Sequence, residues 1–127
     1  MMVRTISTNE APAAVGAYSQ ATTDNNLVFT AGQIPLTTDG VLKSDAPIEV
    51  QTELVMENIQ AVLAAEGLSM SDVLKTTVLL DDIDDFDAMN EMYSSYFGES
   101  PPARSAFEAE RLPKGVGIEI EAIAEKK

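Results

Sequence analysis

Apolar residues change their spacing several times from Ile48 onward. Ile48, Val55, Ile59, Val62 and Leu63 recur at helical intervals, which predicts an amphipathic helix. Ser44 or Asp45 is placed to cap it, Pro47 falls in its first turn, and Gly67 stops it. Lys75-Thr76-Thr77-Val78-Leu79-Leu80 has strand composition. Helical spacing then returns in Phe86, Met89, Tyr93, Tyr96 and Phe97, predicting a second helix that begins in an aspartate cluster and ends at Gly98. That aromatic and methionine stripe reads as core. From Gly117 to Ala124 the period becomes two, with Ile118, Ile120, Ala122 and Ala124 on one face and Glu119, Glu121 and Ile123 on the other.

Nearer the N-terminus, Val3 to Ser7 reads as a short strand and Leu27 to Gly32 as a longer one, with a turn at Asp24-Asn25-Asn26 before it. Thr37-Thr38-Asp39-Gly40 is a second turn. The order of strands, helix, strand, helix, strand predicts an α+β fold, with one mixed sheet and both helices on one face. A sheet covered on one side leaves an interaction surface, so self-association is expected. The last strand would carry Glu119 into that interface, and Arg104 is expected to point there too.

With 127 residues the chain fits one domain, 1–127. No apolar run approaches the roughly 18 residues of a membrane span, and no signal-peptide core precedes the first strand, so a cytoplasmic protein is expected. There is no Cys and no His. Thiolate nucleophiles, Ser-His-Asp triads, imidazole acid-base chemistry and Cys or His metal sites are thereby excluded. No metal and no cofactor is expected, because neither a Walker loop nor GxGxxG occurs and Gly115-Val116-Gly117 is too short for one.

The formal charge of −13 disfavours nucleic-acid binding. In Asp81-Asp82-Ile83-Asp84-Asp85-Phe86-Asp87 the spacing of a calcium loop is missing, and a solvated strand end and helix N-terminus suits these carboxylates better. So acidic a surface also resembles proteins adapted to high salt. Against it, Arg104 stands out between Pro101-Pro102 and the small or apolar run Ser105-Ala106-Phe107. The double proline should present that run in an extended, stiff conformation.

Several segments together resemble the RidA (YjgF/YER057c/UK114) family of reactive enamine/imine intermediate deaminases, nearly end to end. They are Ala11 to Gln20, Thr30-Ala31-Gly32-Gln33-Ile34-Pro35, Val73 to Val78, Met89-Asn90, Pro102-Ala103-Arg104-Ser105, Arg111 to Lys114, and Ile118 to Ala124. The resemblance implies a chorismate-mutase-like fold, a homotrimer with sites between subunits, and cofactor-free hydrolysis of 2-aminoacrylate, 2-iminobutyrate and similar 2-imino acids to 2-keto acids and ammonia. It implies that Arg104 holds the substrate carboxylate and Glu119 positions the attacking water, with Tyr18 and Asn90 lining the cleft. Ala31 and Gly32 fall in the second matched motif, and Ala31 stands where a serine is frequent in the family. Ala106 stands where a cysteine is frequent; a backbone contact would survive there, a thiol contact would not.

The residue types suit those roles. A guanidinium grips a carboxylate through two parallel hydrogen bonds, and a carboxylate can act as base for water near neutral pH where burial favours its protonated form. Each position also has a plainer account: an inter-subunit ion pair of Arg104 with Glu119 or Glu121, a solvated strand carboxylate at Glu119, ordinary packing for Tyr18, a helix-surface amide at Asn90. At the level of function, the alternative to a deaminase is a trimer that binds small carboxylates without turning them over, or a chaperone-like protein. RNA cleavage is disfavoured by the charge and the missing histidine.

Overall fold

The computed structural model describes residues 3–127. Six strands, β1 (Arg4–Ile6), β2 (Ala21–Thr23), β3 (Leu27–Thr30), β4 (Val73–Leu80), β5 (Ala103–Glu108) and β6 (Ile118–Glu125), form one mixed sheet in the order β1-β2-β3-β6-β4-β5. All neighbours are antiparallel except β4 and β5. That parallel pair needs a crossover, which α2 (Phe86–Ser94) supplies. Together with α1 (Ile48–Ala64) it covers one face of the sheet.

The alternation along β6 is borne out. Ile118, Ile120, Ala122 and Ala124 are buried, and with Val28, Val78 and Leu80 they meet Val55, Met56, Ile59, Val62 and Leu63 of α1 and Met89 of α2. The opposite face stays open, leaving Phe29 44% and Phe107 52% exposed.

Four expectations need correcting. α1 starts at Ile48 with Pro47 outside it, and neither Ser44 nor Asp45 caps it. Its first turn is tied down instead by buried Gln51, whose amide donates to the carbonyls of Ser44 and Ala46 and accepts from the N–H of Gly117. α2 ends at Ser94 rather than running to Gly98, though Tyr96 and Phe97 still pack against the core. The first two expected strands are shorter, as Arg4–Ile6 and Leu27–Thr30. β2 was not expected as a strand, and β5 was expected only as an extended run after Pro101-Pro102. Gly67 does end α1: its φ of +73° permits the left-handed turn in which Leu68 N–H reaches back to the carbonyl of Leu63.

The two ends of the chain are fastened at that same turn. Arg4 donates to both carboxylate oxygens of Glu66, at 2.9 and 2.7 Å, and Lys126 reaches one of them at 3.2 Å. Chiefly through the hydrogen bonds from Arg4, the Glu66 carboxyl is held down at about 2. A lowered folded-state pKa stabilises the fold fully above the unfolded value of 4.5, and that stabilisation fades as pH falls toward 2. Thermal melts of wild type and Glu66→Gln should therefore differ by a constant amount above pH 5 or so and converge between about pH 4.5 and 2. A gap that persists below pH 2 would show that the charge is not its source.

Candidate functional site

Glu119 faces away from the helices because its neighbours Ile118 and Ile120 face toward them. The loop after β3 crosses over it: Gln33 and Ile120 exchange backbone hydrogen bonds of 2.8 and 3.1 Å. This brings Gly32 against the glutamate, so close that a Cβ there would lie 2.0 Å from a carboxylate oxygen. A cavity of about 300 Å³ results, lined among others by Tyr18, Gly32, Gln33, Lys114 and Glu119. Burial, and next the charge of Glu121, pushes the Glu119 carboxyl above its ordinary range. Tyr18 forms the outer wall, its hydroxyl accepting weakly from the N–H of Val15 at 3.4 Å.

Arg104 belongs to a different cavity, of about 380 Å³, lined among others by Asn90, Tyr93, Phe97, Pro101 and Pro102. Its strand β5 lies at the sheet edge in parallel register with β4, where Arg104 pairs with Thr76. Thr76 is buried beneath α2, so Arg104 is directed to the helix-covered face as well. There Nη1 donates to Oδ1 of Asn90 at 2.6 Å. Among the described residues, Arg104 makes no ion pair.

The expectation that Arg104 points to the open face together with Glu119 is therefore corrected. β4 sets both directions, since Leu79 pairs with Glu119 on the open face and Thr76 with Arg104 on the covered one. Within one chain, the structure brings Tyr18, Gly32 and Glu119 together, and separately Asn90 and Arg104. Ala31 spends its N–H on the carbonyl of Gln20 at 2.8 Å. Ala106, paired with Val78, packs against the core two residues beyond Arg104. Sequence reasoning gave no role to Lys114, which lines the Glu119 cavity from a left-handed turn with φ of +57°. The RLPK segment beside Gly115 was the signal available.

Comparison with known proteins identifies the family. A family model described as Endoribonuclease L-PSP matches residues 8–126. The chain belongs to the YjgF/RidA family. A RutC family protein of Pyrococcus horikoshii is 53% identical over 128 residues, 99% of this chain and 100% of that one. Reactive Intermediate Deaminase A of Arabidopsis thaliana is 44% identical over 119 residues, 94% of this chain and 64% of the relative. Among solved structures, Escherichia coli TdcF with bound serine superposes with a TM-score of 0.92 at 41% identity, covering 98% of this chain and 99% of that one. The two-helix, mixed-sheet architecture is thus the YjgF/RidA fold that the sequence motifs implied.

Gly32 has an ordinary backbone conformation, so alanine would fit the chain and only the Glu119 carboxylate would have to move. In a Gly32→Ala variant of this YjgF/RidA protein, the Glu119 side chain should swing toward water and its pKa fall back toward the ordinary carboxylate range. Carboxyl NMR titration would register this, and an unchanged titration would mean that Gly32 does not set the position of Glu119.

Proposed function

We propose that this protein hydrolyses reactive 2-imino acids and their enamine tautomers, such as 2-aminoacrylate and 2-iminobutyrate, to 2-keto acids and ammonia without a cofactor. The observation that carries the reading is Arg104, a half-buried guanidinium on an edge strand whose side-chain partner is the neutral amide of Asn90. Such a group has N–H donors left for a bidentate carboxylate. A relative of the same fold was crystallised with serine, a small amino acid carrying that carboxylate, and another is named a reactive intermediate deaminase.

In this reading Arg104 holds the substrate carboxylate and places the imine carbon beside a water hydrogen-bonded to Glu119. Water adds to the C=N carbon while its proton passes by way of the Glu119 carboxylate to the imine nitrogen. Glu119 then takes the hydroxyl proton of the tetrahedral carbinolamine and passes it to the amine nitrogen, so that C=O forms as the C–N bond breaks and NH3 leaves. Burial raises the Glu119 pKa above the ordinary carboxylate range, which makes it a stronger base than an exposed carboxylate. Tyr18, Gly32 and the strand around Ala106 form the walls, where Ala106 can offer a backbone contact but no thiol. Glu119 and Arg104 lie on opposite faces of one sheet, so the complete site forms between copies, with Arg104 and Asn90 of one subunit facing Glu119 and Tyr18 of the next in a homotrimer. The family model's description as an endoribonuclease is the competing reading, and a charge of −13 weighs against binding a polyanion.

Decay of 2-iminobutyrate generated in situ tests the proposal, with native mass spectrometry confirming assembly of each variant. Arg104→Ala should lose roughly 30-fold or more, since losing one member of a buried charge pair costs about 2 to 5 kcal/mol, and Arg104→Lys should recover only part because it lacks the two-pronged fork. Wild-type rates in an assembled Arg104→Ala protein would end the deaminase reading.

Glu119→Gln should abolish turnover, together with an acid limb of the rate profile lying above the ordinary 4.5. Glu121→Gln, on the same face, should retain most activity. Equal losses at the two positions would mean that the wrong carboxylate has been assigned.

A further inference from the structure

Phe86, Asn90 and Tyr93 follow one another along a single face of α2, at intervals of four and three. All three turn toward Arg104. Its Cζ lies 5.2 Å from the centroid of the Phe86 ring and 4.8 Å from that of Tyr93, both within cation–π range. Tyr93 is itself immobilised: it is 3% exposed, its ring packs on Phe97 at 4.9 Å, and its hydroxyl shares a 2.7 Å hydrogen bond with Thr76, the residue paired with Arg104 in the sheet.

Two rings and a neutral amide are an unusual setting for an arginine in a chain with 21 carboxylates. An acidic partner would hold the guanidinium more strongly, but it would occupy the fork and cancel the charge. Aromatic faces attract the cation while leaving its N–H edge free, and the weakly hydrated guanidinium stacks on them at little desolvation cost. Asn90 Oδ1 fixes one N–H without adding negative charge.

We infer that Phe86 and Tyr93 are positioning residues for Arg104: their rings form a seat that holds the guanidinium in one orientation and keeps it unneutralised for an incoming carboxylate. The inference rests on the carboxylate role proposed above, and it reaches beyond that role to the residues that make it possible.

The seat is testable without turnover. The chain has three arginines, Arg4, Arg104 and Arg111, so their guanidinium NMR signals can be assigned by single substitutions. In the assembled, ligand-free protein Arg104 should show slow rotation about its Nε–Cζ bond. Tyr93→Phe and Phe86→Tyr, which keep the rings, should preserve this; Phe86→Leu should release it. Affinity for 2-oxobutyrate, measured by calorimetry, should fall about five-fold in Phe86→Leu, the size expected for one partly desolvated cation–π contact, and stay near wild type in Phe86→Tyr. A freely rotating Arg104 in wild type would overturn the inference with no variant needed. So would a Phe86→Leu protein that loses thermal stability but keeps both slow rotation and affinity. Slow rotation released by Phe86→Leu, with no 2-oxobutyrate binding even in wild type, would support the seat and count against the carboxylate reading instead.

Discussion

The register of β4 is the constraint from which the rest follows. Val78 pairs with Ile120 on one side and Ala106 on the other, Leu79 with Glu119 and Phe107, and Thr76 with Ala122 and Arg104. Side chains alternate along a strand, so a slip of one residue against either neighbour would exchange the faces of that whole strand. Sliding β6 would drive Glu119 and Glu121 under α1 and expel Ile118 and Ile120. Unpaired carboxylates in an apolar core cost far more than any strand pairing returns. The packing of the core and the placement of the candidate acid-base group are thus one requirement, enforced by the same alternation.

Charge poses a second problem that the fold handles locally. A chain at −13 repels anions at long range, yet the proposed ligand is an anion. Arg4 is committed to Glu66 at the chain ends, whereas Arg104 is kept apart by aromatic and amide neighbours, and Lys114 adds a second cation at the mouth of the Glu119 cavity. Salt would screen the distant carboxylates within about a Debye length while leaving contacts at hydrogen-bonding distance largely intact.

Much of this was legible in the residues themselves. The period of two in Ile118 to Ala124 and the helical spacing from Ile48 to Leu63 belong to elements with one buried face, and burial is what writes a period into a sequence. β2 left no such trace because Ala21-Thr22-Thr23 is three residues of small or polar character. β5 left none because it is an edge strand whose six residues are all exposed or half-buried. α1 was expected to begin with a cap because Ser44 and Asp45 are good capping residues, but no side chain caps it, and Gln51 instead ties down the segment before the helix by donating to the carbonyls of Ser44 and Ala46. At the candidate site, motifs singled out Arg104 and Glu119, while their opposite facing depends on pairings with β4 that no local pattern reveals. Tyr93 was correctly read as core, and the contact of its ring with Arg104 could not be seen from that.

The position of β6 in the sheet has a consequence for how the protein is made. It follows the other five strands in sequence and yet lies between β3 and β4, which do not pair with each other. The β1-β2-β3 meander and the β4-α2-β5 crossover can each form from nearby residues, but β3 and β4 each keep an open edge until β6 arrives to pair with both. Contacts between residues so far apart in the chain are slow to form. Every residue up to β6 must therefore emerge from the ribosome before this interior strand can be inserted, and until then β3 and β4 expose strand edges on which chaperones or other nascent chains can act.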